Sequence, residues 1–160
     1  MEIPADLGFR MPAEWEPHDA VWFSWPHPDT ESFPGAYERI PQAFGVLVRA
    51  AAEFEPVRVN VRNAAEETEA RRQIGKCDNV QFFPIDSDEP WCRDHGPIFL
   101  VNDRTGEVAV ADFEFNSWGR KLPRWELDRR VPEAMARQLG LRHLVCPVIL
   151  EGGSVEVNGT

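Results

Sequence analysis

The sequence predicts an α/β fold built from small ββαβ modules, on three observations. Short apolar runs with period-two alternation recur along the chain, separated by segments whose apolar residues fall at helical spacing. One pair of such runs flanks NDRTG, a turn sequence, so hairpins punctuate the alternation and disfavour a plain parallel doubly wound sheet. The 160 residues, 42% of them hydrophobic, fit one domain-sized core, and no low-complexity linker divides them.

The elements follow in order. DAVWFSWP (19–26) is an aromatic run closed by proline and reads as a buried strand. After the loop HPDTESFPG, residues Ile40, Phe44, Leu47, Val48, Ala51 and Phe54 recur at helical spacing, with a kink or late start expected at Pro41. In PVRVNVR the residues Val57, Val59 and Val61 point one way and Arg58, Asn60 and Arg62 the other, which is a strand. AAEETEARRQIG is a polar helix with Asn63 as N-cap and Gly75 as its stop. NVQFFPID is a strand, and PIFLVN with EVAVADFEFN forms the hairpin around NDRTG. PRWELDRRVPEAMARQLG is a helix interrupted near Pro132. LRHLVCPVILEGGSVEVNGT gives a strand, a turn at Gly152–Gly153 and a further strand.

Charge and cysteine content narrow the function. The net charge of −10, from 27 acidic and 17 basic residues, argues against a nucleic-acid surface, which needs clustered Lys and Arg. A small cationic ligand suits this balance better, although acidity also serves solubility alone. Cys77, Cys92 and Cys146 form no CxxC pair, so neither a disulfide framework nor a structural zinc site is indicated, and a reducing cytoplasm is the expected compartment. The opening residues carry no secretory pattern, and no run approaches the roughly 18 apolar residues that a membrane span needs.

Three segments carry the chemistry. In PWCRDHGP (90–97), an extended backbone puts Asp94 on the side of Cys92 and Gly96, with Arg93 and His95 opposite. A fixed carboxylate beside Trp91 can receive a planar cation through two parallel N–H bonds while the indole covers its face. The competing arrangement is an internal Arg93–Asp94 salt bridge with Trp91 in the core. Glu151 follows the apolar run VCPVIL and precedes two glycines, a strand-end position from which side chains project into clefts, or else a solvent-facing place on an ordinary turn. FNSWGRK (115–121) is a third rigid aromatic loop, alternatively a surface loop anchored by Trp118.

Taken in order, MPAEWEPHDAVWFSWPH, WCRDHGP, FNSWGRK and LEGGSVEVNGT resemble the N-terminal half of the agmatine deiminase and bacterial-type peptidylarginine deiminase family, over essentially the whole chain. The resemblance implies a pentein fold, a five-fold pseudosymmetric α/β propeller of ββαβ modules, here a partial one. It also implies a chemistry in which a cysteine thiolate attacks a guanidinium carbon, ammonia leaves, and water hydrolyses the amidino-thioether to a urea. Acidic residues hold the guanidinium and a histidine moves protons, with no metal and no organic cofactor. By motif, Asp94 is the implied guanidinium-binding carboxylate, Glu151 the carboxylate that binds or orients near the catalytic histidine, and Trp91 a pocket wall.

By the resemblance, the family's HxD motif and its late glycine-flanked cysteine are expected beyond residue 160. Cys92 occupies the variable position of the WxRD motif, Cys77 and Cys146 read as packing thiols, and His95 stands where the motif assigns no proton transfer. Residues 1–160 are therefore expected to be the N-terminal part of a single catalytic domain, incomplete at the C-terminus. The chain by itself is expected to be inactive, and to self-associate or pair with the missing half. The complete protein is expected to hydrolyse a small cationic guanidino substrate, agmatine to N-carbamoylputrescine, without nucleic-acid or membrane partners. The alternatives are action on arginine side chains of peptides, or a non-catalytic guanidinium-binding module. A metal-dependent hydrolase using Asp86, Asp88, Glu89, Asp94 and His95 is a further rival, weakened because ligands bunched in one short stretch cannot all converge on one ion.

Overall fold

The computed structural model describes residues 3–159. The chain divides into two compact units, His18–Cys92, and Met1–Pro17 with Arg93–Thr160, and each holds one three-stranded sheet.

In the unit His18–Cys92, strands β1 (Val21–Ser24), β2 (Val57–Val61) and β3 (Val80–Pro84) pair in that order, all parallel, through helices α1 (Ile40–Ala52) and α2 (Ala64–Ile74). Parallel neighbours need such crossovers, so this unit is βαβαβ. The alternation read in VRVNV is real: Val57, Val59 and Val61 are buried and pack with Val48, Ala70, Ile74 and Trp25. Each buried valine contributes about 1.5–3 kcal/mol relative to exposure. Asn60, pointing the other way, is also buried and donates from Nδ2 to Ser24 Oγ at 3.2 Å.

Helix α1 starts late, with Pro41 in its first turn, where no backbone N–H is missed. Its buried residues are Pro41, Gly45 and Val48, whereas Leu47 is 53% exposed and Phe54, beyond the helix end, 86%. Of the expected stripe, Phe44, Val48 and Ala51 pack against the core while Leu47 and Phe54 lie outside it, and Gly45 faces α2. A Cβ on Gly45 would stand 2.6 Å from the Gln73 carbonyl oxygen and 2.8 Å from its carbon, and backbone atoms cannot swing aside. Gly45→Ala is therefore expected to destabilise the protein by about 1–3 kcal/mol, against the helix-propensity gain of about 1 kcal/mol that alanine otherwise brings. Urea denaturation measures it, and a stabilised variant would show that the two helices do not meet there. Helix α2 is capped as the sequence predicts, with Asn63 Oδ1 accepting from Ala65 N and Glu66 N at 3.0 Å and Gly75 (φ +76) ending it.

The second unit is a ββαβ module. Strands β4 (Ile98–Asn102) and β5 (Glu107–Glu114) form the expected antiparallel hairpin, and β6 (Arg142–Ile149) pairs parallel to β5 after helix α5 (Val131–Leu139). The helix expected from residue 123 begins as a 3-10 turn at Asp128–Arg130 and becomes α-helical at Val131, because Pro132 fits only a first turn. Phe9, Leu100, Ala109, Ala111 and Leu144 make the core. Val145, Val148 and Ile149 on β6 stay more than half exposed. The further strand expected after Gly153 is not formed: Gly152–Ser154 is a 3-10 turn, and residues 155–159 belong to no strand.

Arg10 extends this sheet by one antiparallel bridge to Val101 and binds Glu16 and Asp103. The Arg10 guanidinium, with the Ala13 N–H, holds the Glu16 carboxyl down to about 2. A depressed carboxyl contributes stability above its unfolded value, near 4.5, that is lost as pH falls through about 2. The stability difference between the native protein and Glu16→Gln is expected to be constant above pH 5 and to vanish toward pH 2 in denaturation curves. A difference independent of pH would remove the ionised Glu16 from the bridge. Among the described residues no helix is long and apolar enough to cross a membrane.

Candidate functional site

The segment around Asp94 is not extended. Cys92–His95 is a single helical turn (α3), entered through Cys92 N donating to Pro90 O at 2.9 Å. Burial decides this. His95 is 2% exposed, lying against Asp128, itself 1% exposed, at 3.8 Å and against the edge of Phe115, while Arg93 is exposed. An extended chain would put Arg93 and His95 on one side; the turn sends one outward and one into the core. Arg93 pairs with Glu14, so the internal Arg93–Asp94 bridge is not what forms.

Asp94 instead receives two neutral donors. Trp118 Nε1 donates to Oδ2 at 3.2 Å, and Gly153 N donates to Oδ1 at 3.1 Å. Both fix the carboxylate without neutralising it. Each oxygen accepts one bond and keeps a further lone-pair direction, which is the capacity an incoming guanidinium requires.

The Trp118 donor comes from a strained loop. Ser117, Trp118, Gly119 and Arg120 (α4, Ser117–Arg120) all have positive φ, at 56°, 54°, 80° and 65°, and wind left-handed. For residues other than glycine this costs about 1–2 kcal/mol each. Bonds hold it: Asn116 Oδ1 accepts Gly119 N at 2.8 Å, Asn116 O accepts Arg120 N at 2.7 Å, and Ser117 O accepts Lys121 N at 2.8 Å. Ser117 is buried, and Phe115 meets the Trp118 ring edge-on at 5.4 Å. Strain retained in this way marks a turn kept for what it presents, here an indole N–H aimed at Asp94.

The Gly153 donor comes from the turn that Glu151 opens. Ser154 N and Oγ both donate to Glu151 O, at 3.0 and 2.6 Å. Cβ atoms on Gly152 and Gly153 would collide with the Arg93 carbonyl oxygen and with Asp94 Oδ1 respectively, so the two glycines are what let this turn lie on the Asp94 turn. Glu151 is half-buried, and among the described residues nothing donates to its carboxylate. The three segments singled out in the sequence therefore meet at one carboxylate. The spacing between residues 94, 118 and 153 held no signal of this; Asn116, Gly119 and the Gly152–Gly153 pair, as turn formers, were the available hint.

Trp91 lies in the unit His18–Cys92, 38% exposed, with Nε1 donating to Ser32 Oγ at 2.7 Å. It is not a core residue. The thiols behave as packing groups: burial and the Asp112 charge push Cys146 up, Cys92 Sγ donates to Trp22 O at 3.3 Å, and Cys77 lies against the valine core. The carboxylates of the metal reading have separate uses, Glu89 on the loop 30–32 and Asp94 as above. Among the described residues no group of three or more His, Cys, Asp or Glu could hold a metal ion.

Residues 10–160 match the family described as Porphyromonas-type peptidyl-arginine deiminase. The chain is 39% identical to an agmatine deiminase of Ectopseudomonas mendocina and 37% identical to one of Pseudomonas aeruginosa, each over 98% of this chain and 43% of the relative. The solved agmatine deiminase of Enterococcus faecalis superposes with a TM-score of 0.87 at 31% identity, over 98% of this chain and 43% of that one. A C. jejuni agmatine deiminase with substrate bound gives 0.82 at 29% identity, over 94% and 43%. The chain thus spans under half the length of the relatives it matches.

Proposed function

The chain belongs to the Porphyromonas-type peptidyl-arginine deiminase family, and from that premise we propose that the complete protein is an agmatine deiminase. It takes agmatine and water to N-carbamoylputrescine and ammonia. The observation that carries this reading is the Asp94 carboxylate, fixed by two uncharged donors, Trp118 Nε1 and Gly153 N, with further acceptor capacity on each oxygen. By the family's motif, Asp94 is the guanidinium-binding carboxylate, Glu151 the carboxylate that binds or orients near the catalytic histidine, and Trp91 a substrate-binding aromatic. The cysteine nucleophile and the proton-transferring histidine come from outside these 160 residues, which form the N-terminal part of one cytoplasmic catalytic domain.

The chain alone then binds without turning over. The open apolar surface of β6, at Val145, Val148 and Ile149, supports its self-association or its pairing with the remaining part of the protein. A second reading, action on peptidyl-arginine, draws on the family match itself. Incubating the complete protein with agmatine, free arginine and an arginine peptide distinguishes them. Ammonia with a ureido product from agmatine alone is expected; a ureido product from the peptide in preference would select the second reading, and none from any guanidine would end both.

A further inference from the structure

The turn that carries Asp94 has little of its own to stand on. Cys92–His95 is one helical turn, and such a turn does not persist in isolation, because nucleation fixes several residues for a single bond. Its Arg93 pairs with Glu14 at the surface, where both side chains are about half exposed, and exposed pairs hold little. Of the four residues only His95 is buried, so His95 is what ties the turn to a core.

His95 stands at a junction inside the unit that holds β4, β5 and β6, to which Asp94, Phe115, Trp118 and Asp128 also belong. Its Nε2 faces Asp128 Oδ1 at 3.8 Å, with both side chains shut off from solvent, and its ring meets Phe115 at 6.0 Å and 66°. Phe115 in turn meets the Trp118 indole at 5.4 Å and 85°, and that indole donates to Asp94. The contacts close on themselves. Asp94 is tied to His95 through the backbone, with about 3.8 Å between their Cα atoms, and to Trp118 through Oδ2. Displacing the imidazole therefore displaces both the attachment of the carboxylate and one of its donors. An apolar pair of equal volume would serve packing as well, so a buried aspartate set against an imidazole points to a demand for one arrangement.

We infer that His95, held by Asp128, is a positioning residue for Asp94, acting from the core through the turn and through the Phe115–Trp118 contact. This rests on the reading of Asp94 as the guanidinium-binding carboxylate.

The test uses the complete protein labelled with ¹⁵N-tryptophan, the Trp118 indole resonance being identified by its loss in Trp118→Phe. His95→Leu is expected to shift that resonance and to lower kcat/KM for agmatine by about 10- to 100-fold, the scale of a misplacement near 1 Å. His95→Gln, whose amide nitrogen can take the place of Nε2, returns both toward the native values. In an Asp94→Asn background His95→Leu is expected to cost less than about threefold more, because a residue that acts through Asp94 then has nothing left to position. Where thermal melting shows His95→Leu unfolded, Asp128→Asn, which keeps size and shape, takes its place with an expected loss of about tenfold. If Asp94→Asn is impaired while the core variant keeps native kcat/KM, leaves the Trp118 resonance unmoved, or loses as much in the Asp94→Asn background as alone, the positioning role is overturned and Asp94 keeps its place. If Asp94→Asn itself has native kcat/KM, the reading of Asp94 fails and takes the inference with it.

Discussion

Asp94→Asn in the complete protein is expected to lower kcat/KM for agmatine by about 10²–10⁴-fold. The substitution keeps size and shape but replaces one acceptor oxygen by an NH₂ and removes the charge. Two charge-assisted bonds to a guanidinium are worth about 1.5–3 kcal/mol each, and every 1.4 kcal/mol is tenfold in rate. The amide also cannot accept from both Trp118 Nε1 and Gly153 N, since only one of its two atoms is an acceptor. Trp118→Phe, which removes one neutral donor and leaves the charge, gives a smaller loss, about tenfold. Rates of ureido product formation measure both, with thermal melting as the control for folding. An Asp94→Asn protein of native kcat/KM would show that the guanidinium is held elsewhere.

The sequence carried the elements whose periodicity is locally satisfied. Val57, Val59 and Val61 alternate because one face of β2 is buried, and Asn63 with Gly75 brackets α2 through its own side-chain and backbone chemistry. Where tertiary burial competes with local pattern, the reading changed. His95 must reach Asp128 and Phe115, so the Asp94 segment coils instead of extending. Gly45 must admit Gln73, so α1 turns Leu47 outward. The segment after Ser154 has strand-like composition, yet strand formation needs a neighbour to pair with, and a composition carries no information about neighbours.

The candidate site shows the same division. Which residues matter was visible as motifs, because a carboxylate between prolines, a glycine pair after a strand and an aromatic turn are chemically unusual wherever they occur. How they assemble was not. The left-handed conformation of Ser117, Trp118 and Arg120 opposes the local preferences of those residues; the Asn116 bonds to Gly119 and Arg120 hold it, and Trp118 then reaches Asp94. The helical turn likewise turns a supposed Arg93–Asp94 pair into two separate interactions, Arg93 with Glu14 and Asp94 with uncharged donors.

Gly153→Ala is expected to reduce kcat/KM by about 10²-fold with little change in stability, and Gly152→Ala to reduce both. Neither glycine has positive φ, so the argument is one of space alone. At Gly153 the new methyl meets Asp94 Oδ1, the tip of a side chain that can rotate away. Rotation breaks the Trp118 and Gly153 bonds together, and a displacement near 1 Å at a reacting group costs about 10²-fold. Since Gly153 is exposed, the methyl buries nothing and strains nothing else. At Gly152 the methyl meets the Arg93 carbonyl, which is backbone and cannot yield without moving the whole turn. Overpacking of that kind costs about 1–3 kcal/mol of stability and separates the Glu151 turn from Asp94. Kinetics with agmatine and urea denaturation, run side by side on the complete protein, distinguish the two variants. Native kcat/KM in Gly153→Ala would mean that the glycine turn does not rest on Asp94 during catalysis, and that the carboxylate's orientation comes from Trp118 alone.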